Sequence, residues 1–387
     1  MKHLIPVLLL ISATLTACAT PRPIAQDYCQ SGHILLDAHF DGGQLGKCTA
    51  SGNGIFDLTL FPEDAPPINK SPWFAFRVSG REGDEVIIQM QFEDGYARYW
   101  PKISHDGKHW TPLPEEQVAR AEDGASMEVY IEMDQARVWI AGQEILNQEF
   151  YGQWINRLEA DPAIDTEWLG KSVEGRPIYM AVTADRPEFI LMIGRQHPPE
   201  VTGAIAMQVF IDTVLGESDL ARQFRDRFRL GIVPLMNPDG VAAGHWRHNV
   251  NGVDVNRDWG PFTQPESNAV LAWVEKQESN GRTLRLMLDF HSTFEDLFYT
   301  QPVSSDPPDF ASVWLAASAE RLPDFPFKHE ANPVSDQPNA KNYFYKSRGI
   351  PAITYESGDE TSREQLEYSA AIFADEMMKT MLATPAD

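Results

Sequence analysis

"EFILMIGRQHPPEVTGAIAMQVFIDTVL", residues 188–215, passes from an unbroken apolar run through a polar loop to apolar residues at helical spacing. The run 188–194 is too short for a helix and reads as a strand buried on both faces, the habit of strands in parallel sheets. The stretch 202–215 reads as a helix packed back onto it. Between them stand His197 and Glu200, three positions apart. A chain with ten histidines produces an H-x-x-E by accident, so the pair is a metal half-site only if other ligands converge on it.

The same alternation continues toward the C-terminus. "LGIVPL" (230–235), "LRLMLDF" (284–290) and "PAITY" (351–355) read as further buried strands, separated by helical stretches. Thr263 with Glu266, and Ser362 with Gln365, have the spacing of capping boxes that open two of those helices. Strands alternating with helices define an α/β domain, here 156–387. His197, Asn237, His291 and Glu356 each follow directly on a predicted strand. Open α/β sheets gather their sites at those ends.

A catalytic zinc takes three N or O ligands and keeps one position open for water. His197 and Glu200 can chelate from one loop, and His291 in "LDFHST" can supply the third bond from a separate strand. Glu356 in "TYESGDE" offers a carboxylate that is not needed as a ligand and can act as general base. A strand-end histidine bonded to backbone or a solvated glutamate is ordinary taken singly, but four of them at four strand ends of one domain point to a site. The loop 237–259, "NPDGVAAGHWRHNVNGVDVNRDW", adds Arg257 beside Asn256, a fork suited to a carboxylate, and Arg247, which can face a carbonyl oxygen as it gains charge.

Residues 29–155 have a different texture. "GIFDLTLF", "WFAFRVSG", "EVIIQMQFED", "SMEVYIEM" and "RVWIAGQEI" are short alternating or apolar runs broken by turn residues, and Asp106-Gly107 suits a hairpin turn. The expectation is an antiparallel all-β sandwich. Trp73, Trp100 and Trp110 could line a carbohydrate groove, but aromatic residues of a sandwich more often fill its core.

The chain of 387 residues has room for two domains, and its net charge of −24 argues against nucleic acid and anionic lipid surfaces as partners. Lys2, an apolar run over 4–11 and small residues before Cys18 form the layout of an export signal, with a run too short to cross a bilayer. Leu15-Thr16-Ala17-Cys18 resembles the bacterial lipoprotein box, which implies removal of 1–17, a lipid on Cys18 and a linker over 18–28. Ala19 resembles the residue that sends lipoproteins to the outer membrane, so the expected place is the cell envelope, anchored by lipid and facing the periplasm. A plain secretory signal with an incidental Cys18 is the alternative. In an exported chain Cys29 and Cys48 read as one disulfide, closing a loop for about 3 kcal/mol of chain entropy, rather than as two free thiols.

The order of these motifs resembles the zinc metallocarboxypeptidases, the family of pancreatic carboxypeptidase A, and most closely their cytosolic-carboxypeptidase branch and its bacterial relatives. The resemblance is carried by "WLGKSVEGRPI" (168–178), H-x-x-E, N-P-D-G, Arg247, Asn256-Arg257, His291-Ser292 and Thr354-Tyr355-Glu356, and by "SPWFAFRVSG" (71–80) for that branch's N-terminal domain. It implies a mixed, largely parallel sheet with helices on both faces behind the sandwich. It also implies one Zn2+ on His197, Glu200 and His291, Glu356 as general base, and Arg247 at the oxyanion. Asn256 and Arg257 would hold the free C-terminal carboxylate of a peptide substrate. Lys341 falls where the family lines the pocket for the terminal side chain, and a basic residue there implies acidic C-terminal residues. One departure is that "HEANPVSDQPN" (329–339) lacks the family's mobile tyrosine, while Tyr343 and Tyr345 read as helix packing.

Three other readings share part of this pattern: an amidase or peptidase of cell-wall stem peptides, an N-acyl-amino-acid deacylase, and a surface binding protein without activity. The first rests on location alone. N-P-D-G, T-x-E and the sandwich speak against the second, and the intact ligands, base and arginines against the third.

Overall fold

A computed structural model of the protein describes residues 25–66, 68–301, 305–332 and 336–385. The export signal and Cys18 lie outside the described residues. Among those described, no helix is long and apolar enough to cross a membrane.

The alternating runs of the N-terminal half form a six-stranded and a five-stranded sheet. Because side chains of a strand point alternately to its two faces, each sheet turns one set inward. Leu36, Phe76, Val78 and Ile140 from one sheet and Phe56, Leu58, Ile88, Met90 and Val129 from the other form a single buried core. Each such side chain contributes about 1.5–3 kcal/mol by leaving water. Cys29 and Cys48 form a disulfide that staples a strand of one sheet to a strand of the other. Asp106-Gly107 turns the hairpin between Lys102–Ser104 and Trp110–Pro112. One strand pair departs from the antiparallel expectation: Ile55–Leu60 runs parallel to Glu85–Phe92. Between them the chain crosses to the opposite sheet as Ala75–Ser79 before it returns. Trp73 is buried with its indole N–H on the Gly42 carbonyl, and Trp110 packs on the same core, so the core reading of the tryptophans holds for these two. Trp100 donates its indole N–H to Leu113 O, within the same domain.

Helix Gln148–Glu159 follows, capped by the Asn147 side chain, and straddles the boundary expected at 155/156. It buries Tyr151, Trp154, Ile155 and Leu158 in the α/β core and so belongs with the second domain.

That domain holds an eight-stranded mixed sheet. Its centre is parallel: Phe228–Val233, Glu188–Gly194, Thr283–Thr293 and Ala352–Gly358 lie side by side. Antiparallel strands flank it, including the pair Ile164–Lys171 and Pro177–Thr183. Helices cover both faces. Val201–Val214 and Arg363–Leu382 pack with Ile190, Met192 and Leu288 on one side, and Pro265–Ser279 and Ala340–Arg348 with Phe189, Leu191 and Met287 on the other.

Two local details differ from the sequence expectation. The Thr263/Glu266 capping box does not form, because the buried Asp258 carboxylate accepts from the Thr263 N–H and hydroxyl and from Gln264 N, and the helix starts one residue later. At Ser362 the serine hydroxyl does cap its helix by accepting from Gln365 N, and it donates to the Gln365 side-chain oxygen. His291 and Glu356 lie within their strands rather than beyond them, and they are register partners on adjacent strands.

Candidate metal centre and substrate pocket

The loop after Glu188–Gly194 is held by its own buried arginine. Arg195 sits in the left-handed region (φ 53°), uncommon for a residue with a side chain, and donates to Pro198 O and to the Tyr151 hydroxyl. This fixes His197 and leaves Glu200 at the cap position of helix Val201–Val214. The Glu200 carboxylate makes no capping bond there and is free for other partners. Gly203, one turn on, is where helix meets strand, since a Cβ would lie 2.1 Å from His291 O. Only glycine lets the helix come close enough to bring Glu200 to His291.

The three candidate ligands converge. His197 Nδ1 lies 2.8 Å from Glu200 Oε1 and His291 Nδ1 2.7 Å from Glu200 Oε2, with all three side chains buried. Both imidazoles turn their other nitrogen to a carboxylate: His197 Nε2 to Asp254 at 3.0 Å, His291 Nε2 to Asp289 at 2.9 Å. Such outer carboxylates fix the tautomer and orientation of metal-bound histidines. Burial opposes ionisation of Glu200, but His197 and His291 outweigh it and hold its carboxyl well below the usual range. Burial likewise opposes a charged His291, yet Asp289 and Glu200 raise its pKa well above that of a free imidazole. A site that draws positive charge this strongly, with two nitrogens and a carboxylate facing one point, suits a divalent cation.

Glu356 supplies the second test of fit. Burial, together with Glu200 and against the pull of His291, pushes its carboxyl up to about 8. Its Oε2 is buried without a hydrogen-bond partner among the described residues, as suits a carboxylate that is to accept a proton from water.

All eight pocket residues expected from the sequence line one cavity of about 410 Å3: the ligands, Glu356, Arg247, Asn256, Arg257 and Lys341. Arg247 Nε donates to Asp254. Asn256 accepts from Ala340 N through Oδ1, and its Nδ2 lies 3.2 Å from His291 Nε2. Arg257 donates to Asn256 O and forms no ion pair among the described residues. Lys341 is buried, donates to Thr300 O at 3.4 Å and has no carboxylate partner among the described residues. Its burial lowers the ammonium's pKa. Tyr343 packs against Phe262 and Trp259, as helix packing requires, and Tyr299 is the tyrosine of the cavity wall among the described residues.

Some participants escaped the sequence reading. Asp289 went unread although the signal was there, because positions 289 and 291 of a strand share a face. Asp254, two residues before Asn256, had only proximity to recommend it. Arg98 had no local signal: it reaches in from the sandwich, forks onto Asp359 at 2.7 and 3.1 Å and lines the cavity.

Comparison with known proteins agrees with this geometry. The zinc carboxypeptidase family matches residues 151–370, and the cytosolic carboxypeptidase N-terminal domain matches 36–142. The chain belongs to the zinc carboxypeptidase family, whose members use one zinc, and is a metallocarboxypeptidase-type peptide hydrolase. An uncharacterized protein of Zymomonas mobilis is 27% identical over 67% of this chain and 67% of its own length. Cytosolic carboxypeptidase 6 of Mus musculus is 25% identical over 68% of this chain, which spans about half (54%) of the mouse protein. Among solved structures, the metallo-carboxypeptidase of Burkholderia cenocepacia matches with a TM-score of 0.74 and 21% identity, covering 91% of this chain and 98% of that one. The Pseudomonas aeruginosa metallo-carboxypeptidase, solved with (2-guanidinoethylmercapto)succinic acid, has a TM-score of 0.74 and 20% identity over 89% and 98%. These structures share the fold.

Proposed function

We propose that the protein removes single residues from the C-terminus of peptides in the bacterial cell envelope, with Glu356 as general base and a preference for acidic terminal residues. The observation that carries this reading is the meeting of the three ligands, the unpartnered Glu356 oxygen, Arg247 and Arg257 in one cavity. His197, Glu200 and His291 would hold the zinc, which would supply a Lewis acid for the scissile carbonyl and the attacking water. Arg257, without a competing carboxylate, holds the terminal carboxylate, and Asn256 lies beside it. Arg247 faces the carbonyl oxygen as negative charge builds there. Glu356 takes the proton of the attacking water and delivers it to the leaving amine.

Free-carboxylate peptides should release their last residue in a chelator-sensitive reaction, and the same peptides ending in an amide should not. Equal cleavage of the amides would overturn the carboxylate-binding assignment.

The preference rests on Lys341. A buried ammonium lacking a carboxylate welcomes an acidic side chain and is left unpaired by an apolar one. Loss of one partner from a buried charge pair costs about 3–5 kcal/mol. Peptides ending in Glu or Asp should therefore exceed those ending in Leu, Phe or Lys by at least about 100-fold in kcat/KM. Lys341→Ala should flatten the series with zinc content unchanged. Faster release of apolar or basic residues by the wild type removes the proposal.

The envelope location rests on Leu15-Thr16-Ala17-Cys18. Cys18→Ser should abolish incorporation of a fatty-acid analogue and shift the protein out of the detergent-extracted membrane fraction. An unlabelled wild type would reject lipidation.

A further inference from the structure

The segment carrying Arg247 is gripped from the other domain. Glu63, in the sandwich between Ile55–Leu60 and Ala75–Ser79, accepts three consecutive backbone N–H groups: Trp246 at 2.7 Å, Arg247 at 2.9 Å and His248 at 2.6 Å. The neighbouring Asp64 pairs with the His248 ring, and the Trp246 side chain is buried in the sandwich core. Glu63, Asp64 and His248 have donor atoms within 4.8 Å of one another, as a metal site would. Both Glu63 oxygens, however, already accept N–H bonds, so the cluster is an anion held by amides rather than a ligand set. The Arg247 side chain instead lines the catalytic cavity and donates through Nε to Asp254 at 2.6 Å.

We propose that Glu63 is a positioning residue for catalysis: its clamp on residues 246–248 sets the backbone from which Arg247 reaches the oxyanion. The inference rests on the role given to Arg247 above, and it makes the sandwich a working part of the active site. Asp254 fixes one edge of the guanidinium, but a long side chain on a displaced backbone cannot keep its other N–H groups in place. Misplacement of a catalytic group by about 1 Å costs on the order of 100-fold in rate. Glu63→Gln keeps the shape, removes the charge and turns an N–H toward the amides it should receive.

The test is a double-mutant cycle of Glu63→Gln and Arg247→Ala, assayed on the best peptide of the terminal-residue panel, with zinc content and thermal unfolding measured in parallel. Glu63→Gln should lower kcat by roughly 10- to 100-fold with KM and zinc content little changed. In the Arg247→Ala background it should cost nothing further. Equal loss in both backgrounds would mean that Glu63 acts only on general stability, and wild-type kcat in Glu63→Gln would mean that the clamp is idle; either overturns the inference. Wild-type kcat in Arg247→Ala would instead strike the oxyanion assignment itself. Should Glu63→Gln fail to fold, Glu63→Asp, which keeps the charge and shortens the reach, enters the same cycle with the same outcomes.

Discussion

Glu356→Gln should retain one zinc per chain and lose about 10²–10⁴-fold in kcat, the range a positioned general base supplies. Glutamine has the same shape and cannot accept the proton of the attacking water. The ligand atoms are untouched, because both imidazole Nδ1 atoms meet Glu200 rather than Glu356. KM should change little, since Glu356 is asked for nothing in substrate binding. The pH profile carries a second signature. Protonated Glu356 cannot serve as base, so wild-type kcat/KM falls as pH drops through its pKa. Without metal, burial places that pKa at about 8. A nearby dication favours the carboxylate and moves the acid limb below that value. The residual activity of Glu356→Gln should lack this limb. Metal analysis and a pH series on purified variant test both points, and near-wild-type kcat would end the general-base assignment.

The ligands were legible because each falls at the C-terminal side of a strongly apolar strand, where periodicity and chemistry coincide. Strands such as 188–194 are recognisable from composition alone, being buried on both faces. What stayed hidden depends on contacts distant in sequence. Arg98 reaches Asp359 across 261 positions and Glu63 reaches Arg247 across 184, and nothing near either residue announces its partner. The failed Thr263 box has a local origin instead: the spacing was right, but the buried Asp258 carboxylate, five residues upstream, accepts the threonine hydroxyl and draws it away from the helix start. The parallel pair in the sandwich was invisible for a related reason, since alternation reports which face of a strand is buried and not the direction in which its neighbour runs.

His197→Ala and His291→Ala should each lose zinc, with affinity falling by well over the roughly 10- to 100-fold that loss of a mere outer-sphere partner costs. Removing either imidazole takes one of three protein donors and leaves Glu200 with the other imidazole and the Ser292 N–H. The two variants should differ in stability, and the difference tests the electrostatic account. Asp254 survives the loss of His197 with partners in hand, because it still accepts from Arg247 Nε and Asn256 N. Asp289 is fully buried, and without His291 it keeps, among the described residues, only Gln196 Nε2 on one oxygen and no partner on the other. A buried carboxylate stripped of its cation costs several kcal/mol, so His291→Ala should melt at lower temperature than His197→Ala when both are compared with chelator-treated wild type. Full zinc occupancy in both variants would overturn the ligand set. A His197→Ala that melts below His291→Ala would leave the ligands standing and show that Asp254, not Asp289, is the carboxylate most dependent on its histidine.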